Sequence, residues 1–352
     1  MCPEQWTGEQ VESCLRETDS GNLQDLWTEA DRVRRNSVGD EVHLRGLVEI
    51  SNHCVRNCLY CGLRVHNRNL PRYRMSANEV IAAASQAKGF GYGTVVLQSG
   101  EDPGWTSEAV ANLIRAIKQA TGLAITLSLG ERNPEEYRIW REAGADRVLL
   151  RFETSDNRLY HRIHPPLQGR TIDRRALLLT LRAQGYEVGS GVMVGIPGQT
   201  FSSLAEDILL FRDLDLDMVG LGPFVPNSDT PLGGDNGIAS SEDQVPATVL
   251  MTLKAFALTR LVRPDANIPS TSAMAALDPV QGHHLALSRG ANVIMPNMTP
   301  LRYRGSYLIY PGKAYVDVAS LDVHASLAST IRELGRKAGV GAGSRFRQRS
   351  VN

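Results

Sequence analysis

Three of the chain's five cysteines fall within eight residues, Cys54-Val55-Arg56-Asn57-Cys58-Leu59-Tyr60-Cys61. Thiolates can ligate zinc, exchange disulfides or hold iron–sulfur clusters, and spacing weighs among these. Structural zinc takes four protein ligands. The pattern C-x3-C-x2-C supplies three, with no later cysteine and only scattered histidines, so zinc stays possible but incomplete. A redox dithiol shows C-x-x-C alone. Iron–sulfur clusters are held by thiolates, and three cysteines leave one iron of a 4Fe–4S cube open to a ligand from outside the protein. Cys2 and Cys14 stand apart, and nothing around them suggests a ligand or redox role.

The cysteine stretch follows "VHLRGLVEIS", a strand-like run of β-branched and apolar residues. Ser76 and Glu79 then form a capping box that opens the helix "SANEVIAAASQAKGFG". Strand and helix patterns alternate from there through "GTVVLQS", "LAITLSLG", "DRVLLRFE", "YEVGSGVMVG", "LDMVGLGPF", "ANIPST" and "NVIMPN". The intervening helices include one long helix over 242–264 and another over "DPVQGHHLALSRGA". Eight β–α units imply parallel strands with right-handed crossovers. They predict a complete (β/α)8 TIM-type barrel over 44–312, with an open doubly wound sheet as the other arrangement. Residues 1–43 read as a helical extension, and 313–352 as a short helix and basic tail.

Barrel enzymes place their chemistry at the C-terminal strand ends. Those ends are polar or glycine-rich here: "QSGEDP", "LSLGER", "RFETSD", "GIPGQT", "PSTSAM" and "MPNMTP". They predict a ring of ligand groups, although part of that polarity is ordinary turn chemistry.

Composition narrows the setting. Of 352 residues 42% are hydrophobic, and 38 Lys+Arg balance 38 Asp+Glu. No net field directs the chain to nucleic acid or an anionic membrane. The basic end, "GRKAGVGAGSRFRQRSVN", reads as a frayed, solvated tail. No apolar run is long enough to span a bilayer, no signal-peptide core opens the sequence, and the cysteines make no disulfide framework. A cytoplasmic location is expected.

"CVRNCLYC" resembles the signature of the radical S-adenosylmethionine (SAM) superfamily, C-x3-C-x-aromatic-C, with Tyr60 in the aromatic place. The resemblance implies a 4Fe–4S cluster on Cys54, Cys58 and Cys61. Its open iron would be chelated by SAM, which one electron cleaves to methionine and a 5′-deoxyadenosyl radical. "QSGED" is similar to the superfamily's glycine–glycine–glutamate element, with Ser99, Gly100 and Glu101 expected against the SAM amino group. Gly100 would let backbone carbonyls approach the ligand. Glu153 would accept hydrogen bonds from ribose or ammonium, and Arg151 and Arg174 would pair with a carboxylate.

Longer phrases, among them "EISNHCVRNCLYCGLRVHNRNLPRYRMS", "GIPGQT", "DLDMVGLGPFVPNSDTPL" and "NIPSTSAM", resemble the HydE family, maturases of the FeFe-hydrogenase cluster, from about residue 45 to 313. That implies a large internal cavity with SAM at the barrel top. A cysteine-bound iron carbonyl–cyanide complex would be the substrate, attacked at sulfur. Arg151, Glu153, Arg174, Met218 and Tyr307 would surround SAM, while Gln98, Thr126, Thr271 and Ser272 would line the substrate cavity. A ferredoxin or flavodoxin would supply the electron, and other hydrogenase maturases are possible partners; no nucleic acid or membrane is expected.

The chain departs from the family at two places. Tyr315, Val323 and Ser326 stand where some members place three cysteines for an accessory cluster, so a single cluster is expected. Phe152 replaces the family's usual histidine, which would alter the substrate pocket. Methylornithine synthase shares the barrel and signature, as does biotin synthase, whose second cluster needs barrel cysteines that this chain lacks. A non-enzymatic cluster scaffold is the remaining alternative.

Overall fold

The computed structural model describes residues 6–167, 173–234 and 242–345. Cys2 and the last seven residues of the basic tail lie outside these. Helices α1 (Gly8–Arg16) and α2 (Ser20–Val38) lead into β1 (Glu41–Ser51). The alternation then runs α3 (Ala77–Gly89), β2 (Thr94–Ser99), α4 (Ser107–Thr121), β3 (Ala124–Ser128), α5 (Pro134–Glu142) and β4 (Arg147–Leu149). It continues through α6 (Asn157–Ile163), α7 (Arg174–Ala183), β5 (Glu187–Val194), α8 (Phe201–Asp213), β6 (Met218–Pro223) and α9 (Val249–Val262). Last come β7 (Pro269–Ser270), α10 (Ser272–Leu277), α11 (Gly282–Leu287), β8 (Val293–Ile294), α12 (Leu301–Arg304), α13 (Ser320–Glu333) and β9 (Lys337–Ala338).

The first eight strands are parallel, in the order β6-β5-β4-β3-β2-β1-β8-β7. A bridge between Met218 and Asn267 joins β6 to the chain entering β7. Two backbone hydrogen bonds support it, Val219 N to Asn267 O and Asn267 N to Asp217 O, both 2.9 Å. The closed (β/α)8 barrel is therefore present, not the open sheet.

Strand-to-helix loops end at side-chain caps, which fix how much loop is left over the barrel mouth. Ser76 and Glu79 form the expected capping box, and Thr106, Asn133, Asp173 and Thr200 cap α4, α5, α7 and α8. Three local expectations change. The long helix over 242–264 begins only at Val249, because Thr248 caps it and Gln244 pairs with Thr200 as an isolated strand bridge. The helix over "DPVQGHHLALSRGA" shortens to α11, and Asp156 starts α6, which apolar periodicity did not reveal.

Helix α9 is buried on all faces from Met251 to Val262. The N-terminal helices explain this: α1 packs on α8 and α9, and α2 packs on α9. The buried Lys254 Nζ donates to Leu15 O at 2.8 Å and also to Glu17 O, closing the end of α1.

The basic end is not a frayed tail as far as residue 345. Strand β9 pairs with β1, and the chain then crosses the N-terminal floor of the barrel. Ala342 O accepts from Thr94 Oγ1 at 2.9 Å and Arg147 Nη2 at 3.0 Å; Gly343 O accepts from Arg45 Nη2 at 2.9 Å and Asn267 Nδ2 at 3.0 Å. Arg345 pairs with Asp215, Asp217 and Asp265. Among the described residues no helix is long and apolar enough to cross a membrane.

Candidate active site

The loop from Asn52 to Met75 carries the thiols above the end of β1. Arg72 holds it from within: Nη1 donates to Asn52 O at 2.6 Å and Leu63 O at 2.9 Å, and Nη2 to Arg64 O at 2.7 Å and Asn67 O at 3.0 Å. Gly62 N bonds Ile309 O at 2.8 Å, and a Cβ on Gly62 would meet Leu308 O at 2.1 Å. Leu59 is tied to Ile163 and Leu232 through the backbone. An irregular segment is thus fixed by bonds to its own carbonyls and to three distant segments, the end of α6 among them.

Cys58 is buried, and Cys54 and Cys61 are partly buried; all are free thiols. Burial pushes Cys58 well up and Cys61 up to about 12, and each feels the charge of neighbouring thiols. Such thiols keep their protons until a metal's positive charge displaces them. Among the described residues no three His, Cys, Asp or Glu side chains are placed to hold one metal ion. The three free thiols of this one loop are near enough to feel one another's charge, and thiolates are the donors that iron–sulfur clusters take. The donor set therefore fits a cluster with one open iron.

Behind the loop lies an ion-pair chain that the sequence pattern did not reveal. Arg56, inside the cysteine motif and 3% exposed, donates from Nε to Glu101 at 2.7 Å and from Nη2 to Glu131. Glu131 also accepts from Arg174 Nε at 2.7 Å, and Glu101 accepts from Glu131 N at 2.9 Å. The charged residue in the motif was the available signal.

Two of the expected residues have partners within the protein. Glu101 accepts from Arg56 and from the Glu131 amide, so its carboxylate braces the cysteine loop. Arg174 donates to Glu131, to Arg151 O and to His164 Nε2, so three of its five N–H groups are engaged within the protein. Because guanidinium only donates, His164 Nε2 must be unprotonated. Burial, with Arg174 and Arg56 nearby, takes His164 down to about 2. Gly100 is explained differently as well. A Cβ there would lie 2.3 Å from His53 O and 2.7 Å from Cys54 Cβ, so the close neighbour is the cysteine loop.

At the end of β4 the arrangement is the opposite, with polar groups unspent. Arg151 Nη2 lies 3.2 Å from Glu153 Oε2. Yet Arg151 Nε and Nη2 and Glu153 Oε2 are all buried without hydrogen-bond geometry to any partner. The hydroxyls of Thr126 and Thr271 are orphaned in the same way. Each unsatisfied hydroxyl costs about 1–3 kcal/mol, and the Arg151–Glu153 ion pair leaves guanidinium donors and a carboxylate oxygen without hydrogen bonds. Glu153 also takes a left-handed backbone, φ 66°, which for a residue other than glycine stores strain of order 1–3 kcal/mol.

The remaining expected residues divide by depth. Tyr60 is near Glu153, since burial first and then that carboxylate's charge raise its phenol. Tyr307, buried beside Cys61, hydrogen-bonds Gln98. Ser99 Oγ turns back onto Gly100 O at 2.6 Å, and Ser272 Oγ meets Tyr310 Oη at 2.7 Å. Met218 does not join them. It opens β6 at the floor, 2.9 Å from Arg45 Nη1, roughly 16 Å below the strand's other end at the usual rise per residue. Thr126 and Met218 share an interior cavity of about 20 Å³ with Arg45; a second, of about 30 Å³, is lined by Ser272, His283 and Lys313. These two spaces are small beside the expected large cavity.

Phe152 is buried with its ring 5.8 Å from Phe211 of α8, and it also lines a pocket with Tyr160 and Arg174. The residue at this position thus packs on α8 and borders Arg174. At the C-terminal positions, Val323 is buried in the core and Tyr315 stacks on His283 at 6.2 Å.

A family model described as the radical SAM superfamily matches residues 48–211. Over 343 residues the chain is 45% identical to the [FeFe] hydrogenase maturase subunit HydE of Thermotoga maritima, covering 97% of this chain and 95% of that protein. It is 28% identical to 3-methylornithine synthase of Methanosarcina barkeri, across 84% of this chain and 81% of that one. Among solved structures it resembles methylornithine synthase (PylB), with a TM-score of 0.79, 25% identity and 96% of each chain covered. The maturase HydG from Carboxydothermus hydrogenoformans has a TM-score of 0.77 at 19% identity, across 95% of this chain and 76% of that one, and shares the fold.

Proposed function

Because the chain belongs to the radical SAM superfamily and, within it, to the HydE family, we propose that it is a radical SAM maturase. Its substrate would be a cysteine-bound iron carbonyl–cyanide complex, processed for the FeFe-hydrogenase cluster. One observation carries this reading. Unsatisfied buried groups, Arg151, Glu153 and Thr271, gather at strand ends in a barrel whose first loop bears three free thiols.

Cys54, Cys58 and Cys61 would hold a 4Fe–4S cluster. When bound, that cluster supplies the electron that cleaves SAM to methionine and a 5′-deoxyadenosyl radical. The chain's own residues bind and orient. Arg151 offers guanidinium N–H groups to a carboxylate, and Glu153 offers an acceptor to an ammonium or ribose hydroxyl. Tyr60, Tyr307, Gln98 and the backbone at Ser99 and Gly100 close the mouth and keep water away. Thr126, Thr271 and Ser272 offer hydroxyl donors to an anionic complex deeper in the barrel. Glu101 and Arg174 brace this site, and Met218 belongs to its floor. We assign the chain one cluster, with Tyr315, Val323 and Ser326 taking no part in a second, and a small electron-transfer protein such as a ferredoxin or flavodoxin as donor.

The test is reconstituted, reduced protein supplied with SAM and the iron complex. Release of 5′-deoxyadenosine together with a sulfur-adenosylated product is expected. Absence of SAM cleavage would sink the enzyme reading in favour of a cluster scaffold. Cleavage without that product would favour a 3-methylornithine-synthase-like reaction, the second reading, which the fold likeness over 96% of the chain supports. Cys58→Ala is expected to remove cluster absorption and SAM cleavage together; turnover surviving that change would refute the ligand assignment.

A further inference from the structure

Asp207, on the inner face of α8, is fully buried, and among the described residues no cation forms an ion pair with it. Its two carboxylate oxygens hold two different strand ends. Oδ1 accepts the backbone N–H of Ser155, two residues after Glu153. Oδ2 accepts Gln199 Nε2 at 3.1 Å, and Gln199, also fully buried, continues the connection. Its Nε2 donates to Met193 O at 3.1 Å and its Oε1 accepts Gly195 N at 2.7 Å, at the end of β5.

Glu153 needs such restraint. Its left-handed backbone is uphill for a residue with a Cβ, so the chain must be held on both sides of it. Before the turn, Ser190 Oγ donates to Leu150 O at 2.8 Å and accepts Phe152 N at 3.1 Å. After the turn, the holding group is Asp207. Glu153 N bonds Gly191 O at 3.0 Å and Met193 N bonds Glu153 O at 3.4 Å, so the two strand ends held by Asp207 also meet at Glu153.

We propose that Asp207 is a positioning residue. Through Ser155 and Gln199 it fixes the turn that aims Arg151 and Glu153 into the barrel mouth, and so sets the affinity for SAM. This rests on the assignment of Arg151 and Glu153 to SAM made above. A buried carboxylate without a cation is costly, and burial raises Asp207 to about 7. Accepting N–H groups from two separate segments is what offsets that cost.

The test uses the full chain with its cluster reconstituted. Asp207→Ala is expected to keep its iron content and weaken SAM binding about tenfold, the factor that 1.4 kcal/mol represents. The loss should appear in Kd and KM, with kcat little changed. Amide hydrogen exchange should quicken in residues 151–156 and not in the floor strands. Asp207→Asn keeps an acceptor for Ser155 and should fall between wild type and Asp207→Ala. Wild-type SAM affinity and exchange in Asp207→Ala would overturn the proposal, as would loss of protection spread evenly through the barrel. If Asp207→Ala does not fold, Gln199→Met decides: weakened SAM binding supports the positioning role, and unchanged binding overturns it. Failure of the wild type to cleave SAM would refute the proposed function, while the exchange at 151–156 would still report on Asp207.

Discussion

At Gly100 a single methyl group is enough to disturb the cysteine loop. The atoms it would strike, His53 O and Cys54 Cβ, are backbone or fixed to it, so they cannot turn away. Gly100→Ala is expected to lower the iron bound per chain after reconstitution by half or more, while the barrel keeps its circular-dichroism spectrum; full iron content would refute the close approach. His164 gives a pH prediction. An unfolded histidine takes its proton near 6.5, whereas the folded ring is held down to about 2 by burial and the two arginines. Between those values the unfolded chain binds more protons, so stability falls as pH falls. The slope from this group is at most about 1.4 kcal/mol per pH unit. Urea unfolding at pH 7 and pH 5 should show a smaller acid loss in His164→Gln, which keeps an acceptor for Arg174. Equal losses would remove His164 from the account.

The cysteine loop shows how an element without regular structure is made rigid. Four carbonyls converge on Arg72, and only a planar fork with several donors can serve them all. Arg72→Lys, with one ammonium, should resemble Arg72→Ala here. Both are expected to release iron to a chelator about tenfold faster than wild type, a change of roughly 1.4 kcal/mol in the barrier. Thermal unfolding of the barrel should move by only a few degrees. A lysine variant with wild-type release would mean that charge alone suffices. The regular elements were more legible in sequence. Ser76 and Glu79 announce α3 because a capping box is local chemistry. The start of α9 was obscured because Gln244 and Pro246 precede it in a pattern that helix periodicity tolerates.

For the whole molecule, the mouth and the floor have different architects. The mouth is built by strand ends and the loops after them. The floor is closed by residues 337–345, which accept from Arg45, Thr94, Arg147 and Asn267 and donate to three aspartates. Deleting residues 336–352 would leave Arg45 and Arg147, both buried, without these acceptors. At about 1.5–3 kcal/mol for each bond to a charged group, the loss is on the order of 5 kcal/mol. Urea unfolding should show it directly; a truncated chain of wild-type stability would mean the segment merely rests on the floor.

The sequence by itself determined what is local: three thiols at one spacing, the alternation of strand and helix, the caps, and polar groups at the strand ends. Neighbours along the chain set those properties. Tertiary structure alone decided which polar groups remain free. Arg151 and Arg174 read alike in sequence, yet one is paired only with Glu153 and keeps N–H groups without hydrogen bonds at the mouth, and the other is engaged with Glu131 and His164. Met218 lies at the floor because of its place in β6, and Phe152 packs on Phe211 of α8. Residues 337–345 of the basic end pack on the barrel because its floor offers buried donors and carboxylates to a chain that, taken alone, has nothing to pack against. Register, strand direction and the partners brought from distant loops settle such questions, and none of these is written in spacing.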